Sequence, residues 1–330
     1  MKPSRLDEDD IRIRPGRSKS RPRTKDRPQH ADAIAGSVTT VDRGRFTVLL
    51  DNGTEIFAVK ARELGRKGIV VGDRVSVIGD SSGDADSQAR IIRRDTRITV
   101  LRRTADDNDP QERVIVANAT HMGIVVAAAN PEPRTGLIDR ALVAAIDAGI
   151  APFLIITKAD LADPQILARN YSALKLPVFT VTNGLATEEL RQHIDGQISV
   201  FVGHSGVGKS TLINQLVPDA QRVTGSVNDL TGKGKHTSTS VIAFPLPGTA
   251  SNPGIVIDTP GIRSFGLAHV EREVILDSFT DLHPWMQSCP RACSHDEEEC
   301  GLNMVTDPLT LQRVDSLRAL LTGNSDAGTY

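Results

Sequence analysis

The string GHSGVGKS at residues 203–210 constrains the fold of this 330-residue chain more than any other feature. It follows an apolar run, SVFVG, that predicts a buried strand, and it opens a predicted helix, KSTLINQLV. Glycines at such a junction let backbone N–H groups wrap a phosphate, and the helix N-terminus attracts the negative charge. The residues that we expect to bind a nucleotide here are Gly203, His204, Ser205, Gly206, Val207, Gly208, Lys209, Ser210 and Thr211. Lys209 is predicted to reach the β- and γ-phosphate oxygens, and Ser210 is predicted to ligate Mg²⁺.

A second string, TKAD at residues 157–160, ends the predicted strand APFLIIT. It resembles the guanine-recognition motif of GTPases, [NT]KxD, with Thr157 in place of the commoner Asn. The Asp160 carboxylate can accept from the two donors on the Watson–Crick edge of guanine, and adenine mismatches this pattern at a cost on the order of 1–4 kcal/mol. Thr157, Lys158 and Asp160 are therefore predicted to bind the base, with a further contact from Thr182 after the next strand. Taken alone, TKAD is equally compatible with a helix cap.

A third string, DTPG at residues 258–261, ends the predicted strand GIVID and resembles the DxxG motif. Asp258 is expected to hold Mg²⁺ through water, and the N–H group of Gly261 to sense the γ-phosphate. The Gly- and Lys-rich stretch at residues 232–240 is interpreted as switch I, one hydroxyl of which completes the Mg²⁺ shell. The candidates for that hydroxyl are Thr237, Ser238 and Thr239, and the sequence leaves the choice open.

The residue that follows DTPG is Ile262, at a position where many GTPases carry a Gln that orients the attacking water. Ile262 has no polar atom for that task. His236 in switch I is the candidate replacement, because a neutral imidazole can orient a water molecule or accept its proton. The alternative is that His236 is a flexible surface residue. Because Ile262 cannot orient the attacking water, we predict slow GTP hydrolysis by the chain alone.

The order of these strings is unusual for a nucleotide-binding domain. Base recognition precedes the phosphate loop and DTPG follows it, whereas ordinary GTPases begin with the phosphate loop and end with base recognition. The chain is therefore circularly permuted, which is tolerated where the original termini lie close together at the surface. Alternation of apolar strands and helical patterns between residues 112 and 263 predicts a doubly wound α/β sheet. We predict a permuted α/β P-loop GTPase domain over residues 98–265.

Residues 33–97 show the period-two pattern of about five short strands, with a turn signal at Asn52-Gly53. These features favour a small closed barrel such as an OB-fold. Phe46 and Phe57 are predicted to lie in its core, the alternative being that they stack on nucleic-acid bases. The basic residues that favour an RNA-facing surface are Arg62, Arg66, Lys67, Arg74, Arg90, Arg93, Arg94, Arg97, Arg102 and Arg103.

The first 32 residues are predicted to be a basic disordered tail. Residues 1–30 hold ten Lys or Arg against five acids and almost nothing apolar, so ordering them is not offset by burial. The tail is interpreted either as a solvated segment or as a basic arm on a phosphate backbone. No apolar stretch approaches the roughly 20 residues of a membrane helix, so no membrane partner is expected.

Three cysteines and one histidine cluster within twelve residues near the C-terminus. Cys289, Cys293, His295 and Cys300 supply the ligand types of a tetrahedral zinc site, the alternative being free thiols in a loop. An odd number of clustered cysteines is not a disulfide framework, which favours the cytosol. The surrounding pattern predicts a small helical zinc-binding domain over residues 266–330, with one Zn²⁺ per chain.

Together these features resemble the RsgA (YjeQ/EngC) family of ribosome small-subunit-dependent GTPases over roughly residues 33–320. The stretch LIDRALVAA at residues 137–145 adds to the resemblance. It implies a cytoplasmic, monomeric enzyme that binds the 30S subunit and its 16S rRNA, takes GTP or GDP with Mg²⁺, and hydrolyses GTP on release during late subunit maturation. It also implies that the subunit stimulates hydrolysis. The chain departs from the family pattern in two places: both outer gaps of the Cys/His set are one residue shorter, and switch I reads HTST.

Two other functions compete with this interpretation. One is an rRNA-binding assembly module in which the nucleotide site is a sensor with little hydrolysis. The intact Lys209, Ser210 and Asp258 favour a hydrolase over such a module. The other is a P-loop small-molecule kinase, which TKAD disfavours.

Overall fold

The computed structural model describes residues 30, 32–65, 68–84, 88–104, 112–218, 220, 240–247, 254–259 and 266–323. Ala33–Tyr330 group into one compact unit. The predicted tail, switch I and the residues after Thr259 up to 265 lie outside the described residues, apart from His30 and Asp32 in the tail and Ser240 at the end of switch I.

The N-terminal part of the compact unit is a closed five-stranded barrel, as predicted. Its strands are β1 (Ile34–Asp42), β2 (Arg45–Leu50), β3 (Glu55–Lys60), β4 (Arg74–Gly79) and β5 (Ala89–Arg94). Strand β1 pairs with both β2 and β4, and β5 pairs with both β3 and β4, which closes the ring. The β2–β3 connection turns at Gly53, whose φ of +85° is one that glycine adopts without strain.

Alternation along the barrel strands decides which side chains fill the interior. Phe46 is buried, as predicted, and its partner across the β2–β3 pair is the buried Ala58. Phe57 is next to Ala58 in β3 and therefore points outward, because successive side chains of a strand alternate. It is half-buried, with the Arg45 guanidinium 4.3 Å from its ring centre. The prediction of a core position for Phe57 is wrong.

The second part is a six-stranded α/β sheet. Its strands are β8 (His121–Ala127), β9 (Ala151–Thr157), β10 (Val178–Val181), β11 (Ile198–Val202), β12 (Ile242–Pro245) and β13 (Ile255–Asp258). The spatial order is β10-β9-β8-β11-β13-β12, with every pair parallel except β12–β13. The apolar runs predicted as strands form the five parallel members, because strands covered on both faces are continuously hydrophobic.

Helices cover both faces of this sheet. They are α1 (Thr135–Asp147), α2 (Pro164–Asn170), α3 (Glu188–Ile194) and α4 (Lys209–Leu216), with α5 (Arg272–Asp277), α6 (His283–Met286) and α7 (Pro308–Leu321) in the C-terminal part. One apolar core joins α1 to the C-terminal helices, through residues such as Leu142 and Leu317. A second core, on α3 and α4, includes Phe153 and Phe201. The predicted helices of the GTPase region are all present.

Three strands were not predicted from the sequence. Strands β6 (Val100–Arg103) and β7 (Arg113–Ala117) form a separate antiparallel pair after the barrel. Strand β12 pairs with β1 of the barrel through Thr40 and Ile242, so the barrel and the α/β sheet share one continuous eleven-stranded sheet.

A buried ion network joins the C-terminal part to the α/β sheet. Arg313 of α7 donates to Asp139 of α1, and through Nε and a second nitrogen to Asp281 at 2.8 and 3.1 Å. Its guanidinium lies over the rings of Phe279 and Tyr171, at 4.2 and 5.4 Å. Burial raises the pKa of Asp139, and Arg313 opposes that shift. The C-terminal part and the α/β sheet therefore pack around the Arg313 guanidinium, whose charge is balanced by Asp281 from the first and by Asp139 from the second.

Among the described residues, no helix is both long and apolar enough to cross a lipid bilayer.

Candidate functional site

The phosphate loop lies between β11 and α4, as its sequence context predicts. A Cβ atom at Gly203 would lie 2.3 Å from the Val125 carbonyl oxygen, so only glycine fits where the loop leaves the sheet. Gly208 immediately precedes α4 and has a φ of +91°, which turns the chain into the helix. Backbone N–H groups at the start of α4 lack intrahelical partners, as an anion site requires.

Lys209 and Asp258 meet beside this loop. The Lys209 ammonium contacts the Asp258 carboxylate, and Lys209 is 8% exposed. Their approach follows from sheet topology, since β13 lies next to β11 with Phe201 paired to Asp258. The Thr259 hydroxyl donates to the Phe201 carbonyl oxygen at 2.7 Å and fixes the end of β13. Two residues predicted at the phosphates and Mg²⁺ are therefore adjacent, and Ser210 is exposed beside Lys209.

The TKAD loop follows β9 at the same sheet edge. Asp160 is exposed, and one of its carboxylate oxygens accepts from the Asn183 backbone N–H at 3.1 Å. This bond joins the loop after β9 to the loop after β10. Lys158 donates to the Asn130 carbonyl, and Thr157 is buried against the phosphate loop. The arrangement leaves the Asp160 carboxylate facing outward and held in place.

A cavity of about 270 Å³ opens between the TKAD loop and the start of α4. The residues that line it are Thr157, Lys158, Asp160, Leu161, Val181, Asn183, Gly184, Gly208 and Thr211. Thr182, predicted to contact the base, is exposed, whereas its neighbours Val181 and Asn183 line the cavity. Sequence reasoning missed Gly184, and from the stretch Val181-Thr182-Asn183 it selected Thr182 as the contact instead of Asn183. Their signal was an Asn-Gly pair after a strand, and both adopt positive φ.

Four further predicted residues, Ser205, Gly206, Val207 and His204, lie in the same phosphate loop. Ser205 and Gly206 are exposed and Val207 is buried. The Nδ1 of His204 lies 2.9 Å from the Ser205 carbonyl oxygen. The remaining predicted residues of this site, His236, Thr237, Ser238, Thr239, Gly261 and Ile262, lie outside the described residues.

The four predicted metal ligands converge. Their ligand atoms all lie within 4.8 Å of one another. Cys289 Sγ is 3.6 Å from His295 Nδ1 and 3.8 Å from Cys300 Sγ, and Cys300 Sγ is 3.8 Å from His295 Nδ1. Tetrahedral zinc with bonds of about 2.3 Å to sulfur and 2.0–2.1 Å to nitrogen places such atoms about 3.6–3.8 Å apart. The shortened outer gaps therefore still bring Cys289 and Cys300 into a set that fits a tetrahedral cation.

A carboxylate organises the loop that carries these ligands. Glu297 accepts from the backbone N–H groups of Ser294 and His295, the latter at 3.1 Å, and from the Cys293 thiol at 3.1 Å. Burial, together with the bond to Glu297, raises the pKa of Cys293 to about 12. The thiol is then protonated at neutral pH, and a bound cation would displace that proton. Arg318 of α7 anchors the same loop by donating to the His295 carbonyl at 2.8 Å.

The barrel's basic residues fall into two groups. Arg74 forms a bidentate salt bridge with Asp51, with N–O distances of 2.6 and 2.8 Å. Arg97 forms a second one with the buried Asp73, at 2.7 and 2.8 Å. These arginines hold the barrel together.

Among the other predicted members, Arg93 pairs with Asp95, Arg102 pairs with Glu112, and Arg94 donates to the Gly68 carbonyl. Arg62, Arg90 and Arg103 have no acidic partner in the described residues, and Arg66 and Lys67 lie outside them.

The sequence profile of the RsgA GTPase family matches residues 94–268. The small ribosomal subunit biogenesis GTPase RsgA of Ectopseudomonas mendocina is 39% identical over 265 residues, covering 77% of this chain and 74% of that protein. The protein of that name from Pseudomonas aeruginosa is 42% identical over 219 residues, covering 63% of each chain.

Solved structures show the same fold. The structure of YjeQ from Thermotoga maritima superposes with a TM-score of 0.64 and 25% identity, covering 89% of this chain and 99% of that one. The structure of YloQ, a circularly permuted GTPase, gives a TM-score of 0.62 at 23% identity, with coverages of 91% and 98%. These matches confirm the predicted combination of barrel and permuted α/β sheet, and with the profile match over more than half its length they place the chain in the RsgA GTPase family.

Proposed function

We propose that this chain hydrolyses GTP in a cycle of binding to and release from the small ribosomal subunit during its biogenesis. The observation that carries the proposal is the meeting of separate strings at one sheet edge. Asp160 and the phosphate loop line one cavity, and Asp258 contacts Lys209 of the same loop, although base recognition comes first along the chain instead of last. Family membership supports the same chemistry.

In this proposal the phosphates lie on residues 203–211, with the N-terminus of α4 and Lys209 neutralising their charge. Asp160 accepts from guanine, with Lys158 beside it. Ser210 and Asp258 would hold Mg²⁺, together with one of the three switch I hydroxyls, and the cation would stabilise charge on the phosphate oxygens. The contact between Lys209 and Asp258 supports this assignment, because both groups have to face the same phosphates.

We further propose that the subunit accelerates hydrolysis and that His236 orients the water. GTP turnover should be very slow for the free chain and rise at least about tenfold with small subunits, since positioning of this kind contributes roughly 10²–10⁴ in rate. His236→Ala should lose most of the stimulation while still binding nucleotide and subunit. Full stimulation of that variant would assign water positioning to ribosomal groups.

The relatives are named for small ribosomal subunit biogenesis, and the barrel surface suits such a partner. We propose that the partner is the 30S subunit, contacted through 16S rRNA by Arg62 and Arg90 and by the basic tail of residues 1–32. The protein would act as a cytoplasmic monomer. We propose domain limits at residues 33–97, 98–265 and 266–330, with the last domain holding one Zn²⁺ on its Cys/His set.

An rRNA-binding module with a sensing nucleotide site is the competing function. Both functions predict the same RNA-binding barrel, so only a measurement of GTP turnover separates the hydrolase from the sensing module. A protein that binds small subunits in a nucleotide-dependent way but shows no turnover above background with them would be such a module.

Co-sedimentation of the full chain tests the proposed partner. With a non-hydrolysable GTP analogue the chain should pellet with small subunits, and with GDP it should remain in the supernatant. Large subunits should retain little of it in either state. Equal retention by both subunits would overturn the proposal.

Two variants sharpen the test of the barrel surface. Removing two phosphate contacts with Arg62→Gln and Arg90→Gln should reduce the slope of log affinity against log salt by about two. Arg291→Gln removes one positive charge, as each barrel substitution does, from an exposed position of the Cys/His loop and should leave the slope unchanged. If the control lowers the slope as much as the barrel variants do, the barrel is not the contact surface.

A further inference from the structure

Thr157 occupies the position at which the guanine-recognition motif commonly has Asn. It is the last residue of β9 and is 3% exposed. Its hydroxyl oxygen lies within hydrogen-bonding distance of two carbonyl oxygens, that of Val207 in the phosphate loop and, at 3.2 Å, that of Val126 at the end of β8. The hydroxyl therefore joins the ends of β8 and β9 to the phosphate loop.

The chemistry of this hydroxyl limits what else it can bind. A threonine side chain has one proton to donate, and both neighbouring carbonyl oxygens only accept. That proton is therefore committed to protein, chiefly to Val207. An asparagine at the same position would have two N–H protons, one for the carbonyl and one for a ligand.

Guanine presents N7 on the edge opposite to the one that Asp160 would read. N7 is an acceptor, so only a donor can pair with it. Among the described residues around the cavity, two other donors are already engaged: the Asn183 backbone N–H donates to Asp160, and the Lys158 ammonium donates to the Asn130 carbonyl. The Thr211 methyl group faces Gly184, which follows Asn183 in the loop that holds Asp160.

We propose that this protein binds the guanine base without a hydrogen bond to N7, and that Thr157 is a positioning residue that clamps the phosphate loop to the end of β9. The inference rests on the proposed guanine site. Its consequence is a specificity: a nucleotide with carbon in place of N7 binds as well as GDP. Base selectivity then depends on the Watson–Crick edge alone.

Calorimetric affinities of the full chain for GDP, 7-deaza-GDP and IDP test the proposal. GDP and 7-deaza-GDP should agree within about twofold, because no hydrogen bond is lost. A preference for GDP of about fivefold or more would show that N7 is contacted and would overturn the inference. IDP lacks the 2-amino donor, so it should bind clearly more weakly. Equal GDP and IDP affinities would instead contradict the proposed reading of the base by Asp160.

Variants of Thr157 separate clamping from base contact. Thr157→Asn supplies a second donor and should create a preference for GDP over 7-deaza-GDP of about three- to tenfold, the value of one hydrogen bond. Thr157→Ser keeps the hydroxyl and should behave as the parent does. Thr157→Val removes the clamp and should weaken both nucleotides by the same factor. Unequal weakening by Thr157→Val would contradict the clamp, and the ratio in the unaltered protein remains decisive if a variant does not fold.

Discussion

The nucleotide loops lie at the carboxyl edge of a parallel sheet, whereas the Cys/His cluster lies on a segment, residues 287–300, that has no helix or strand. In the first region the sheet sets the geometry. Neighbouring strands bring Asp258 beside Lys209, and main-chain groups such as the N–H of Asn183 hold Asp160. In the second region side chains set the geometry, with Glu297 and Arg318 bonded to the ligand loop. A site built on strands is held by the fold, and a site built on a loop needs a crosslink.

Withdrawal of the metal should have the largest effect, and only on the Cys/His region. Structural zinc sites contribute about 10–16 kcal/mol of binding free energy, and irregular loops have little else to order them. We expect one zinc per chain by elemental analysis. Chelation should remove hydrogen-exchange protection from residues 287–305 while GDP affinity changes less than about twofold.

Cys293→Ser should reproduce the effect of chelation, and Gln287→Ala, at an exposed position of the same segment, should not. A metal-free chain with an unchanged melting temperature would show that the loop is held by its own hydrogen bonds. The contrast between the two regions would then disappear.

Arg313→Met should have the next largest effect, because it breaks the network that joins the C-terminal part to α1 of the α/β sheet. The variant leaves Asp139 and Asp281 buried without their cation, which costs about 3–5 kcal/mol. Urea unfolding measures the loss. Asp315→Ala on the same helix changes an exposed residue and should change the free energy of unfolding by less than about 0.5 kcal/mol. A loss below about 1 kcal/mol for Arg313→Met would mean that the network contributes little to the packing of α7.

Glu297→Gln should weaken metal binding, because an amide has one acceptor oxygen for the loop's N–H groups where the carboxylate has two. The side chain keeps its shape but is no longer a carboxylate, and changes to groups that orient ligands cost about 10–100-fold in metal affinity. Competition with a chromophoric chelator gives the affinity. Glu298→Gln, also exposed in this segment, is the matched control. Equal affinities of the two variants would remove Glu297 from the account of the cluster.

Thr259→Val should have the smallest effect, confined to the nucleotide region. It removes the hydroxyl bond to Phe201 that fixes the end of β13, at a cost of about 1 kcal/mol. Asp258 is the adjacent residue, so GTP affinity should fall several-fold while zinc content is unchanged. Thr180→Val in β10 provides the control. If nucleotide affinity is the same in both variants, the sheet edge does not depend on this bond.

The parts of the molecule that could be predicted from the sequence are the sites whose residues lie close together in a short motif. The phosphate loop, TKAD, DTPG and the Cys/His set can each be recognised within about a dozen residues. The strands that precede the first three place those three at one edge of the sheet. Strand β12 escaped prediction because it is four residues long, ends in proline and gains its partner from the distant barrel. Its pairing depends on topology, which a local pattern does not contain.

Long-range side-chain contacts were equally hidden. Arg313 and Asp139 are 174 residues apart in sequence, and each looks like an ordinary charged residue of a helix. Sequence reasoning assigns Phe57 to the core because aromatic side chains favour burial. Side chains alternate along β3, however, and the neighbouring Ala58 faces Phe46, so Phe57 points outward. Thr157 was expected to contact the base, and only the neighbouring carbonyl of Val207 shows where its proton goes.

The central claim is that the permuted strings form one guanine-nucleotide site whose hydrolysis depends on the small subunit. Asp160→Asn tests it most directly. The Asn side chain offers an N–H donor where the guanine 2-amino group needs an acceptor, whereas xanthine has a carbonyl oxygen there that accepts from this donor. Phosphate release with small subunits should fall steeply with GTP and be restored with xanthosine triphosphate, while the parent protein shows the opposite preference. Unchanged GTP hydrolysis by Asp160→Asn would contradict the account, because the base would then be read elsewhere.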